Sequence, residues 1–175
     1  MCCFSSVVDN PLLWSHFGDQ RRGLCIGNTL SRNPELRLHE VLYDGDRMLL
    51  TSLIADSFLN NDPKSQELLD RNVLLKKASP WSYECEWRLF SNKGVQDSPL
   101  ALKEVTFGLR CPTFIVHTIS KALESRENEV EFYEIFEIPG SFDLRREPVN
   151  IDEMRANLPR TAKSGVEIFE PIDEA

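Results

Sequence analysis

Trp81-Ser82-Tyr83-Glu84-Cys85-Glu86-Trp87-Arg88-Leu89-Phe90 is the stretch on which the reading of this chain turns. Its residues favour β structure, and polar and apolar side chains alternate strictly. Read as a strand, it places Tyr83, Cys85, Trp87 and Leu89 on one face and Glu84, Glu86 and Arg88 on the other. Successive side chains on one face of a strand stand roughly 6–7 Å apart. The polar face would then present two carboxylates and a guanidinium in a row, where an ordinary exposed face mixes in Thr, Ser or Lys.

The pattern on either side supplies the rest of an α+β fold, a mostly antiparallel central sheet with flanking helices. Upstream, Cys2–Val8 reads as a strand. Asp9-Asn10-Pro11 is a helix start, because Asp or Asn caps and Pro suits the first turn. A short helix over 12–19 and a glycine-bounded strand over 23–27 follow. A strand over 38–43 is closed by the turn signal Asp44-Gly45. Leu49, Leu50, Leu53, Ile54 and Phe58 recur at helical spacing within 46–60, and a second helix is expected over 65–77. Downstream, the periodicity predicts a strand over 100–108, a helix opened by Pro112 and running to 124, and a central strand over 129–138. A last strand or arm is expected over 142–149. Residues 1–149 are read as one domain and 150–175 as a loosely packed tail.

The chain has 175 residues, 41% hydrophobic and 27% charged, which is enough to build a core. Its formal net charge of −8 argues against non-specific nucleic-acid binding, which needs Lys and Arg to displace phosphate counterions. No apolar run approaches the roughly 20 residues of a membrane span. The N-terminus lacks a basic region followed by an apolar run. The expectation is a cytoplasmic protein without a membrane segment. Cys2, Cys3, Cys25, Cys85 and Cys111 include no Cys-x-x-Cys and share no metal-ligand spacing with His16, His39 and His117. They read as free thiols, with Cys85 as a small buried hydrophobe, and a standard zinc site is not expected.

Three constellations could carry chemistry. Glu84, Glu86 and Arg88 either line a cleft, where carboxylates bond sugar hydroxyls or support positive charge, or form a solvated face whose ion pair contributes about 0–1 kcal/mol. Ser5 lies on the first strand, and Trp14 and His16 on the helix after it. Ser5 is a candidate ligand contact and His16 a donor or base near neutral pH, against the plain reading of Trp14 and Phe17 as core residues. Lys77 is either a phosphate contact or a solvated cation at a helix end. Glu84, Glu86 and His16 are thus the candidate catalytic groups, and Ser5, Trp14, Lys77 and Arg88 the candidate ligand contacts.

In this order, several elements together resemble a bacterial family, Domain of Unknown Function 2971. They are Cys3-Phe4-Ser5, the run Asp9–Phe17, Gly23-Leu24-Cys25-Ile26-Gly27, Lys77, Trp81, Tyr83–Leu89 and Val105–Cys111. The resemblance spans roughly residues 2–140. Family members usually carry an earlier region with a strand and an Asn-Asp-Pro-Phe-Glu-like motif. This chain starts at Met1-Cys2, and its Asn61-Asp62-Pro63 falls between two predicted helices. The resemblance therefore implies a member lacking its front third, with its first strand left as an exposed edge. A more distant likeness is to ADP-ribosyltransferases, which place a basic residue, a Ser-containing strand and a Glu-x-Glu strand in that order. It implies NAD as cofactor, Glu86 on the nicotinamide ribose, Glu84 orienting or deprotonating the acceptor, and Ser5 supporting the nicotinamide pocket.

Three functional readings follow. The first is a truncated or non-catalytic binding or interaction module of that family. The second is an NAD-dependent ADP-ribosyltransferase-like enzyme, a toxin or phage-defence effector, with a nucleotide-like ligand. The third is a metal-dependent hydrolase or nuclease using Glu84 and Glu86 as Mg²⁺ ligands.

Overall fold

The computed structural model describes residues 1–30, 37–44, 48–90, 94 and 100–157. Its elements are β1 (Cys2–Ser5), α1 (Pro11–His16), β2 (Leu24–Thr29), β3 (Leu38–Glu40), α2 (Thr51–Phe58) and α3 (Pro63–Leu74). After a 3-10 helix, Ser79–Glu84, come β4 (Glu86–Leu89), β5 (Ala101–Phe107), α4 (Thr113–Leu123), β6 (Glu131–Glu137), β7 (Leu144–Pro148) and α5 (Ile151–Asn157). This is an α+β fold. Its strands form two sheets, in the orders β1-β4-β3 and β2-β5-β6-β7, where the alternation had pointed to one. Among the strands of the described residues only β5 and β6 pair in parallel, and α4 supplies the crossover that a parallel pair requires.

The four-stranded sheet buries both faces. On one, Val105 and Phe107 of β5 pack with Val116 of α4 and with Val130. On the other, Ile135 and Leu144 pack under Trp14 of α1. Alternation along β5 explains the division, because Val105 and Phe107 point one way and Thr106, buried between them, points the other.

Helix ends follow their caps. Asn10 Oδ1 accepts from Leu12 N at 2.9 Å, and Pro11 opens α1. Asp62 Oδ2 accepts from Ser65 N at 2.9 Å, so α3 starts at Pro63, ahead of the expected Ser65, and stops at Leu74. Helix α2 is shorter than its apolar pattern; residues 45–47, and with them the Gly45 turn, lie outside the described residues. The segment expected to hang loosely after residue 149 begins with α5, whose Met154 packs against the Val105–Phe107 cluster. Asn150 caps it, with Glu153 N donating to Asn150 Oδ1 at 3.0 Å, and Asn150 Nδ2 also donates to the Glu153 carboxylate at 3.2 Å. Residues 158–175 lie outside the described residues.

The decisive stretch is not one strand. Ser79–Glu84 winds as a 3-10 helix, Cys85 takes a left-handed conformation (φ 44°, ψ 52°), and the strand starts only at Glu86. The reason lies in its partners. Strand β1 ends at Ser5, paired with Glu86, so the ladder has no partner for Trp81–Tyr83. Asn10 Nδ2 instead donates to the Tyr83 carbonyl at 3.3 Å, and Ser6 N to the Cys85 carbonyl at 3.1 Å. Cys85 is half-buried at this reversal and does not sit on an apolar strand face.

Candidate functional site

Strand β4 is the middle strand of the small sheet, which places Glu86 and Arg88 on a supported backbone. Glu86 N donates to the Tyr43 hydroxyl at 2.9 Å, and Val41 N donates to the Glu86 carbonyl at 2.9 Å. Just upstream, the left-handed residue Cys85 reverses the chain and brings Glu84 alongside Glu86. The two carboxylates thus meet through a turn, where the strand reading had spaced them along one face. Both are buried, with 5% and 6% of their surface exposed.

Lys77 joins them. The segment after α3 is pinned when Lys77 N donates to the Leu42 carbonyl at 2.9 Å, which carries the side chain toward β4. Lys77 Nζ pairs with Glu84 Oε2 and lies 3.1 Å from Glu86 Oε2. It also stands 5.2 Å from the centre of the Trp81 ring. Lys77 is therefore neither a solvated helix-end cation nor a free phosphate contact. Burial works to lower its pKa, but the hydrogen bonds it donates to both carboxylates outweigh this and hold the ammonium above its ordinary value.

Arg88 closes the network from the other side. Its Nε donates to Glu86 Oε1 at 2.8 Å and its Nη2 lies 3.3 Å from Glu86 Oε2, while Nη1 donates to the Leu74 carbonyl at the end of α3. Burial raises the Glu86 carboxyl, yet Arg88, the Cys3 thiol and Lys77 together pull it down to about 2. Arg88 thus binds Glu86 and the end of α3, and offers no open fork to a ligand phosphate. Burial and the facing Glu86 hold the Cys3 thiol above its ordinary value.

A cavity of about 450 Å³ lies between β1, α1, the start of β2 and these charged groups. Ser5, Lys77, Glu84 and Glu86 form its polar wall; Val8, Leu13, Trp14, Phe17 and Leu24 form much of the rest. Of the sequence-derived candidates, five line it: Ser5, Trp14, Lys77, Glu84 and Glu86. His16 does not. Its ring lies among Phe17, Trp81 and Tyr83, 6.4 Å from the Tyr83 ring at an interplanar angle of 26°. Ser5 is spent on the protein itself, with its hydroxyl 2.7 Å from the Glu84 carbonyl, 3.0 Å from the Val7 carbonyl, and accepting from Val7 N at 3.1 Å. Trp14 Nε1 donates to the Val8 carbonyl at 2.6 Å, so Trp14 turns only ring surface to the cavity.

One polar atom in the network lacks a partner. Glu84 Oε2 meets Lys77, but Glu84 Oε1 is buried with no hydrogen-bond donor among the described residues. Leaving a buried acceptor unsatisfied costs about 1–3 kcal/mol, and more for a charged group. Among the described residues no three His, Cys, Asp or Glu side chains cluster as a metal site, and Lys77 Nζ occupies the position between the two carboxylates.

Two site residues escaped the sequence reading. Cys3 lines the cavity two residues before Ser5, and the strand period alone could have placed it there. Tyr43, whose hydroxyl supports Glu86, is brought in by tertiary contact with no local signal. Burial and the two carboxylates hold its phenol above the ordinary value, despite the Glu86 N–H and Lys77 acting the other way. No helix among the described residues is long and apolar enough to cross a membrane. No family model matches the chain, and no curated protein or solved structure matches it.

Proposed function

We propose that this chain is a non-catalytic small-molecule binding domain of the Domain of Unknown Function 2971 type. The observation that carries this reading is the unpartnered oxygen of buried Glu84 in the wall of a cavity of about 450 Å³. An apolar cavity with a few fixed polar groups is the common form of a small-molecule site. A ligand donor reaching the Glu84 carboxylate would satisfy that oxygen.

The commitment of Glu86 favours binding over catalysis. A general base works best with a pKa near the operating pH, and Glu86 is held at about 2 by two cations. Its charge is already neutralised where a developing cation would need it. The test is ligand-observed NMR with a mixture of small aromatic fragments, comparing the chain with Leu13→Trp, which fills the cavity. Saturation transfer to a fragment that disappears in the variant supports the reading. Equal transfer to both proteins, or none to either, would sink it.

The convergence of Ser5, Glu84 and Glu86 on one cavity favours a second reading, an ADP-ribosyltransferase-like domain that binds NAD. Calorimetry with NAD⁺ against the chain and its Glu86→Gln variant decides it. Saturable binding weakened in the variant brings this reading forward, and no binding by either folded protein removes it. The metal-dependent hydrolase has no comparable support, since Lys77 stands where the ion would bridge the carboxylates.

A further inference from the structure

The charged groups of the cavity wall are the carboxylates of Glu84 and Glu86 and the ammonium of Lys77, and Arg88 behind Glu86 completes a network of two carboxylates and two cations. Arg88 lies outside that wall and offsets Glu86 from behind, leaving Glu84 with Lys77 as its cation. Glu84 is more than nine-tenths buried and its Oε1 has no donor. The hydroxyl of Ser5 and the indole N–H of Trp14 are both consumed by backbone carbonyls. What the wall offers a ligand is therefore a carboxylate acceptor beside apolar and aromatic surface. An anion would set its charge against the unpaired carboxylate oxygen and gain no bond from it.

We propose that the cavity binds an organic cation, a primary amine on an apolar or aromatic body, with its ammonium on the Glu84 carboxylate and its body against Trp14, Leu13 and Leu24. The proposal rests on the ligand-binding reading above and specifies the class of ligand. Because Oε1 is itself buried, the carboxylate turns toward the entering ammonium, exchanging an unsatisfied oxygen for a charge-assisted hydrogen bond. Lys77 keeps its second contact, to Glu86, while this happens.

The test is calorimetry on the full chain at neutral pH with three probes of similar shape: phenethylamine, phenethyl alcohol and phenylacetate. The amine is expected to bind about tenfold more tightly than the alcohol, with no saturable binding of phenylacetate. In Glu84→Gln the preference for the amine over the alcohol is expected to vanish. Alcohol or phenylacetate binding as tightly as the amine would overturn the cation assignment while leaving the cavity a ligand site. A preference that survives Glu84→Gln would overturn the role of Glu84. No binding of any probe by a chain shown folded by circular dichroism would overturn both the cation assignment and the ligand-binding reading. The wild-type series stands even if the variant does not fold.

Discussion

Arg88 grips Glu86 with a forked contact, Nε to Oε1 at 2.8 Å and Nη2 to Oε2 at 3.3 Å, and with its remaining nitrogen it bonds the end of α3. Both side chains are largely buried, so neither can exchange its partner for water. The guanidinium thereby ties the small sheet to the α2–α3 hairpin.

Arg88→Ala is expected to destabilise the chain by about 2–4 kcal/mol, since it strands a buried carboxylate and frees the Leu74 carbonyl. Arg88→Lys should recover less than half of the loss, because an ammonium cannot make the fork. Urea unfolding of the three proteins measures this. A loss under about 0.5 kcal/mol for the alanine variant would place the pair among solvated surface contacts.

Acid should unfold the protein in a way traceable to one carboxylate. The folded Glu86 carboxyl lies at about 2, below its ordinary 4.5. Its contribution is therefore complete above about pH 4.5 and is lost as pH falls toward 2. The shift corresponds to about 3 kcal/mol. Stability measured against pH should fall through that window in the wild type. Glu86→Gln, less stable at neutral pH, should show a shallower fall, and parallel curves for the two would contradict the assignment.

The turn at Cys85 separates two readings of the same residue. On a strand face, Cys85→Val would be neutral or favourable, because valine is a strong β former. In the left-handed conformation at φ 44°, a β-branched side chain is strained, and the substitution should cost about 1–2 kcal/mol. Thermal unfolding of Cys85→Val, with Cys85→Gly expected to be tolerated much better, reads the difference directly.

Gly108 sits where β5 leaves the sheet and passes the Arg21–Gly23 backbone. Its N–H donates to the Gly23 carbonyl at 2.9 Å, and an added Cβ would lie 2.4 Å from the Arg21 carbonyl oxygen. Backbone cannot swing aside as a side chain can. Gly108→Ala is therefore expected to cost about 1–3 kcal/mol in chemical denaturation. A neutral result would show that the Arg21 turn yields.

The sequence alone settled much of the local structure. Asn10 and Pro11 mark a helix start through a hydrogen bond spanning two residues, and Val105 with Phe107 declare a buried face through a period of two. Ser5, Trp14, Lys77, Glu84 and Glu86 were singled out by residue type and order, and all five line one cavity. What alternation could not reveal was that the partner strand ends at Ser5. A strand persists only where another chain segment pairs with it, so Trp81–Glu84 became a 3-10 helix, and Cys85 turned Glu84 onto Lys77. Residue types alone made Arg88 and Ser5 candidate ligand contacts. Only the tertiary structure gave both to the protein itself and left one oxygen of Glu84 without a partner, because hydrogen-bond partners are assigned by space and not by spacing.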